Sequence, residues 1–364
     1  MNMEENKTPA FQPDSELDMF ADMLRRAVAD CGAARWQPAW TQLAELGALS
    51  AVMPEERGGY GGARTLALVS CVLGEAGIVS PFGVSCAALA RGLAEIGAPQ
   101  VEVLLEAIGL GRLVAALALH EEDGLPKFNG FTSHLRKSGS GFRLTASKRM
   151  IPFGAEADRI ILPARGDDGE TVLVIIDRES IAGSMTSRVL IDGSSAVDLG
   201  LEDLELSEEA IMAQGAGAQR ALEKMYDALA VSLLAEAVGA MRAMIDMTRS
   251  YLGVRRQFGA PLSVNQALRH RFVDMEIMFA KAKTMSDAAA TMLESSDDEA
   301  RRKMVAEARY IIGQCGRKVS QEAIQMHGAI GMAEENPLGR YFKRILSLSL
   351  WLGDEDDALR ALCH

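Results

Sequence analysis

The side chains able to do chemistry are thinly spread. Five histidines (His120, His134, His270, His327 and His364) show no pair at a metal-ligand spacing, so no metal site is expected. Five cysteines (Cys31, Cys71, Cys86, Cys315 and Cys363) are odd in number and scattered, with no C-x-x-C. Cys71 and Cys86 lie in apolar surroundings and read as small core residues rather than as nucleophiles. No G-x-G-x-x-G follows a strand and opens a helix, which excludes the usual dinucleotide fingerprint. Three polar segments remain. One is Val254-Arg255-Arg256-Gln257-Phe258-Gly259-Ala260-Pro261-Leu262, followed by Gln266. The second is Gln325-Met326-His327-Gly328-Ala329-Ile330-Gly331, followed by Pro337 and Arg340-Tyr341-Phe342-Lys343-Arg344. The third is the acidic run Asp354-Glu355-Asp356-Asp357, which suits the first turn of a short helix. By type alone, Arg255 and Arg256 are solvated charges and Phe258 is core. Acids outnumber bases 50 to 38, giving a formal charge of -12. A nucleic-acid partner is therefore not expected, and a phosphate-bearing ligand must be met by local basic groups.

The elements that position these segments fall into three zones. At ~150 residues per domain, 364 residues suggest two or three domains. Residues 1–111 read as a helical domain, with Leu17, Phe20, Met23, Leu24 and Val28 at helical spacing and Trp40, Leu43, Leu46 and Leu49 continuing it. The glycine-rich Pro54–Gly62 stretch interrupts the pattern. Residues 112–212 change period. Gly141–Thr145 alternates, Arg159–Pro163 and Thr171–Ile176 are β-branched runs, and Gly166-Asp167-Asp168-Gly169 between them is a hairpin turn. An antiparallel β domain is expected there. Residues 213–364 are helical again. Leu222, Met225, Leu229, Leu233, Ala237, Met241, Ile245, Thr248 and Leu252 predict a helix of some 30 residues, and two more long helices are expected at about 264–294 and 298–326. The methionines here read as core filler. The fold class is α+β. No apolar run approaches the ~20 residues of a membrane span, and the polar N-terminus lacks a signal peptide's pattern, so a cytoplasmic protein is expected.

Taken together, these segments resemble the acyl-CoA dehydrogenase family. Val254–Leu262 with Gln266 is similar to the family's R-x-Q-F-G-x-P-L…Q, and Gln325–Gly331 with Arg340–Arg344 to Q-x-x-G-G-x-G…R-x-x-R-D. Pro54–Gly62 resembles P-E-E-Y-G-G-x-G, and Gly141–Gly154 resembles G-x-x-L-x-G-x-K-x-W-I-T-N. The blocks fall in family order over nearly the whole chain. The resemblance implies an N-terminal helical domain, a middle β domain and a C-terminal four-helix bundle. It also implies a tetramer with FAD at a subunit interface. Members remove hydrogens from Cα and Cβ of an acyl-CoA: a carboxylate takes the α-proton and the flavin takes the hydride.

Carried over residue by residue, the resemblance splits. It assigns Arg255 to the FAD pyrophosphate through a charge-assisted fork, with Gln257 beside it. Phe258 is assigned to the ribityl or adenine portion, Gln266 and Gln325 to cofactor hydrogen bonds, and Gly328 with Met326, His327 and Ala329 to the same wall. These residues serve a neighbouring subunit's FAD. The other half departs from the family. The catalytic Glu of the Y-E-G-T segment is Leu352, and the alternative base position on the first long helix is Leu229, followed by Ala230. The T-E-P segment that touches the flavin ring begins at His120, and the aromatic and Thr of W-I-T are Met150 and Pro152. Glu355 is the nearest substitute acid, and Glu236 a more distant one.

Some members of the family, in bacterial degradation of steroid side chains, work as mixed tetramers. The reading that follows is a subunit without its own base, completing the FAD site of a sibling chain in a hetero-tetramer that acts on an acyl-CoA. Two alternatives are a self-sufficient homomeric flavoenzyme with altered chemistry or a relocated base, and a non-catalytic scaffold.

Overall fold

The computed structural model describes residues 15–32, 35–53, 59–60, 62–94, 96–122, 128, 130–257 and 259–362. Most of the Pro54–Gly62 segment and Phe258 lie outside them.

The first helical zone holds α1 (Ser15–Ala29), α2 (Gln37–Glu45), α3 (Ala48–Ala51) and α4 (Gly62–Ala76). A wider π-type turn over Phe82–Ala88 then runs into α5 (Leu89–Gly92), and α6 (Pro99–Gly109) closes the zone. Of the expected apolar stripes, Leu24, Val28, Trp40, Leu43 and Leu49 are buried, and Leu17, Phe20 and Leu46 half-buried, whereas Met23 faces outward on α1.

The middle zone is one eight-stranded sheet. Its strands are β1 (Ala115–Leu117), β2 (His134–Ser138), β3 (Gly141–Pro152), β4 (Arg159–Arg165), β5 (Thr171–Asp177), β6 (Met185–Val189), β7 (Ser195–Leu206) and β8 (Ile211–Gln214). They lie in the order β6-β7-β3-β2-β4-β5-β8, with β1 paired to β4. The turn at Gly166–Gly169 joins β4 to β5 as expected, and Gly166 N–H donates to the Glu170 carbonyl at 2.9 Å. The sheet is mixed rather than antiparallel throughout. β1 runs parallel to β4 from Ala115 opposite Arg159, and β2 meets β4 in parallel at His134 and Arg165. The connection from β1 to β4 runs through β2 and β3 rather than a tight turn, which leaves β1 free to lie parallel to β4.

A charge pair lies inside this sheet. Lys148 Nζ on β3 donates to Glu121 Oε1 at 2.9 Å, and both side chains are at most 1% exposed. Glu121 also accepts from the N–H and hydroxyl groups of Thr132 and Ser133. Burial alone would raise the Glu121 pKa. The Lys148 bond and charge, with the Ser133 and Thr132 donors, outweigh it and bring the carboxyl to about 2. The folded carboxyl thus holds its proton less tightly than an unfolded one. Its contribution is complete above the ordinary glutamate pKa and is lost as pH falls towards 2. Glu121→Gln leaves Lys148 buried without its counter-charge. It is expected to cost about 3–5 kcal/mol at neutral pH and to flatten the acid limb of the stability curve, read by urea titration from pH 7 to pH 3.

The last zone is built on α7 (Gly215–Val254), 40 residues long, with α8 (Gln266–Met292), α9 (Asp298–His327), α10 (Leu338–Leu350) and α11 (Glu355–Leu362). A two-residue hairpin, β9 (Arg256–Gln257) and β10 (Ala260–Pro261), links α7 to α8. The whole stripe from Leu222 to Leu252 is buried. By length and composition α7 could cross a membrane, yet 89% of its apolar window is buried in the protein.

Glycines let α4 lie directly on α7. A Cβ at Gly239 would fall 1.9 Å from the Cys71 carbonyl oxygen, and one at Gly74 would fall 2.0 Å from the Glu236 carbonyl oxygen. The sheet is fastened to the bundle by a buried ionic triad. Arg344 of α10 donates to both oxygens of Glu236 on α7, at 2.6 and 2.9 Å, and to Asp192 of the β6–β7 loop at 2.7 Å.

Candidate functional site

The two polar segments of the bundle meet at one end of it. The Tyr251 ring near the end of α7 stacks on the His327 ring at the end of α9, with centroids 4.3 Å apart and planes 23° apart. Its hydroxyl donates to the His327 carbonyl at 3.3 Å. His327 Nδ1 bonds the Ala323 carbonyl at 2.8 Å, and burial pushes the imidazole pKa down, against the opposing pull of that bond. Beyond this joint both chains turn outward. α7 ends as Arg255 becomes extended, and the β9–β10 hairpin turns at Gly259, with φ +84°. The Asn265 side chain caps α8 at the Ala267 N–H. α9 stops because Gly328 takes φ +62° and ψ −142°, a conformation only glycine adopts readily.

The result is an outward-facing polar ledge. Arg255, Gln257, Gln266, Gln325, Gly328 and Ala329 are exposed, whereas Met326 and His327 are buried beneath. Arg256 donates to the Gly259 carbonyl. Among the described residues no carboxylate meets the Arg255 guanidinium. Its five donors are free to take a phosphate bidentately. Large apolar side chains surround the ledge in water: Val254 is 79% exposed and Met332 75%, with Val264 and Ile330 also exposed.

The Leu352 end is built in the opposite way. α10 gives way to the turn Trp351-Leu352-Gly353, where Gly353 has φ +96°. The Leu352 side chain is buried against Leu233, Leu234, Ile312, Ile345 and Leu348, around a cavity of about 30 Å³. That is room for roughly one water, not for an acyl chain. All three carbonyls of the turn are held. Trp351 O is 2.8 Å from His120 Nε2. Arg309 Nη2 on α9 donates to Leu352 O at 2.5 Å and to Gly353 O at 2.9 Å, while its Nη1 donates to the Tyr226 hydroxyl at 2.8 Å. Phe128 closes the outer side by an edge contact with the Tyr226 ring at 4.8 Å. Leu229 and Ala230 are buried in α7, and the turn of chain at Gly83 packs against Leu229 and Ser232.

The acids near this turn are committed elsewhere. Asp354 and Asp357 cap each other's N–H groups at the start of α11. Glu355 binds Arg317 and packs on Gly313. Glu236 is spent on Arg344. Met150 is half-exposed with φ +51°, its N–H held by Asp198, and Pro152 is buried opposite Ala196.

Sequence reasoning had no signal for Arg309, Tyr226 or Phe128. An arginine on an amphipathic helix reads as solvated until the partner carbonyls, 43 and 44 positions away, are known.

Comparison with known proteins gives a consistent picture. Residues 214–362 match the family model described as acyl-CoA dehydrogenase, C-terminal domain. Acyl-CoA dehydrogenase FadE27 of Mycobacterium tuberculosis is 26% identical over 335 residues, covering 89% of this chain and 86% of that protein. A solved variant of the Tcur3481-Tcur3483 steroid ACAD superposes with a TM-score of 0.84 at 25% identity, over 96% of this chain and 97% of that one. The ChsE4-ChsE5 complex from Mycobacterium tuberculosis shares the fold, with a TM-score of 0.83 at 22% identity over 97% of this chain and 98% of that one.

Proposed function

Because the chain belongs to the acyl-CoA dehydrogenase family, we propose that it works as the subunit that lacks its own catalytic base and completes the FAD site of a sibling chain. The supporting observation is the contrast between its two half-sites. The Arg255 ledge is open, cationic and ready for a phosphate presented from outside. The Leu352 side chain is buried, and the cleft beside it holds only about 30 Å³.

Tested against FAD, the two halves answer differently. The ledge fits the ADP arm: Arg255 would grip the pyrophosphate, and Gln266 and Gln325 would hydrogen-bond beside it, with Gln257 on the same connection. Gly328 and Ala329 allow close approach, over a wall formed by Met326 and His327. The crevice between this chain's own sheet and bundle does not fit a flavin ring. His120 bridges it, and Pro152 brings no N–H donor. FAD bound in a sibling supplies the hydride acceptor for the bond between Cα and Cβ. This chain's residues orient the cofactor and exclude water at its ADP end. Leu352 accepts no proton, so the base belongs to the sibling. Two of the similar structures are named as pairs of chains. One is named a steroid enzyme, which makes a steroid side-chain acyl-CoA the first substrate to assay.

The test is the visible spectrum of the chain purified alone and after co-expression with a sibling of the same family. Alone it is expected to be colourless. With the sibling it is expected to co-purify with flavin at well under one per chain and to oxidise an acyl-CoA. Flavin near one per chain in the lone protein would replace this reading with a self-sufficient flavoenzyme. No flavin in any pairing would leave a scaffold.

A further inference from the structure

The crevice between sheet and bundle is closed by particular side chains, not by general collapse. We propose that His120 is the bolt: its imidazole, tied to the Trp351 carbonyl, keeps a planar ring out of this chain's own crevice. The inference rests on the reading above and assigns its closed half to one residue.

His120 is fixed from behind. Arg149 N–H on β3 donates to the His120 carbonyl at 3.0 Å, and the two residues form an isolated bridge that extends the sheet. The backbone thus belongs to the sheet and the ring tip to the bundle. The side chain is 7% exposed, so water does not compete for the bond to Trp351. An isoalloxazine needs about 7 Å between walls, two contact distances of roughly 3.5 Å. At His120 the walls are joined by a hydrogen bond of 2.8 Å. The opposing wall cannot yield to make room. Arg309 holds the next two carbonyls of the same turn, and Tyr226 and Phe128 brace Arg309 in succession. The turn is a fixed strike plate, and the His120 ring is the bolt that meets it.

Lumiflavin, an isoalloxazine without ribityl or ADP arm, tests this without involving the Arg255 ledge. Binding is followed by quenching of its fluorescence in the lone chain. The wild-type chain is expected to show no saturable quenching. His120→Ala is expected to bind at least tenfold more tightly. His120→Gln, whose amide can donate to Trp351 O, is expected to stay closed. A folded His120→Ala chain, checked by circular dichroism, that takes no lumiflavin overturns the role of His120 and leaves the proposed function standing. His120→Gln opening as far as His120→Ala overturns it too. Saturable binding by the wild type shows that the crevice is open and overturns it outright, whereas the proposed function fails separately, on the lone chain's own flavin content. Should His120→Ala not fold, His120→Thr offers the smaller cavity and is read in the same way.

Discussion

Arg255→Ala is expected to strip the assembled protein of its flavin while leaving this chain folded. Arg255 has no carboxylate partner among the described residues, so its removal exposes no buried charge and breaks no internal bond of its side chain. On the proposed function, what it removes is a charge-assisted fork to a pyrophosphate on the sibling. Truncating one partner of such a pair costs about 2–5 kcal/mol, which makes FAD retention about thirtyfold to a few thousandfold weaker. Equilibrium dialysis of the co-purified assembly measures this directly. Arg256→Ala is the internal comparison, because its guanidinium is turned to the Gly259 carbonyl. It should weaken retention only slightly. Equal losses from both substitutions would mean general electrostatic attraction rather than a specific fork.

A second large loss of stability is expected from one methyl group. Gly239→Ala places a Cβ 1.9 Å from the Cys71 carbonyl oxygen of α4, and the obstacle is backbone, so neither helix can rotate a side chain away. The expected cost is about 3 kcal/mol or more, the upper end for overpacked cores. Gly253→Ala sits on the same helix with nothing within 4 Å of the new atom. There helix propensity alone acts, and the change should be neutral or stabilise by up to about 1 kcal/mol. Urea midpoints for the pair test whether contact or propensity governs α7. Two shifts of the same sign would contradict the packing of α4 on α7.

Much of this was legible in the residues, because the informative signals were local. The stripe from Leu222 to Leu252 is a periodicity, and it held over a longer helix than expected. The Arg255 and Gln325 segments are short contiguous strings, and the Tyr251–His327 stack brings them to one end of the bundle. The pairing of strands was less legible. Ala115–Leu117 lies inside the run LVAALAL, which carries no alternation, and its parallel partner is some 44 residues away. Arg344 shows the same limit more sharply. In sequence it belongs to a basic patch, Arg340 to Arg344, and reads as surface. In the fold it is 4% exposed, because Asp192 and Glu236 reach it from 152 and 108 positions away. The acidic run at 354–357 behaved as helix-capping chemistry predicts, since capping is decided within one turn.

The triad of Asp192, Glu236 and Arg344 also sets an order of events during synthesis. A ribosome delivers the sheet and α7 long before α10, at about 5–20 residues per second. For that interval two acids destined for the interior have no counter-charge. Burying them then would be strongly unfavourable, so the sheet must wait, loosely docked, with both carboxylates in water. Their counter-charge is an arginine made about a hundred residues after the second of the two acids. A nascent protein cut short before Arg344 would keep that seam open, wet and easily proteolysed. The joint that fastens the sheet to the bundle thus needs a residue of α10 to be complete.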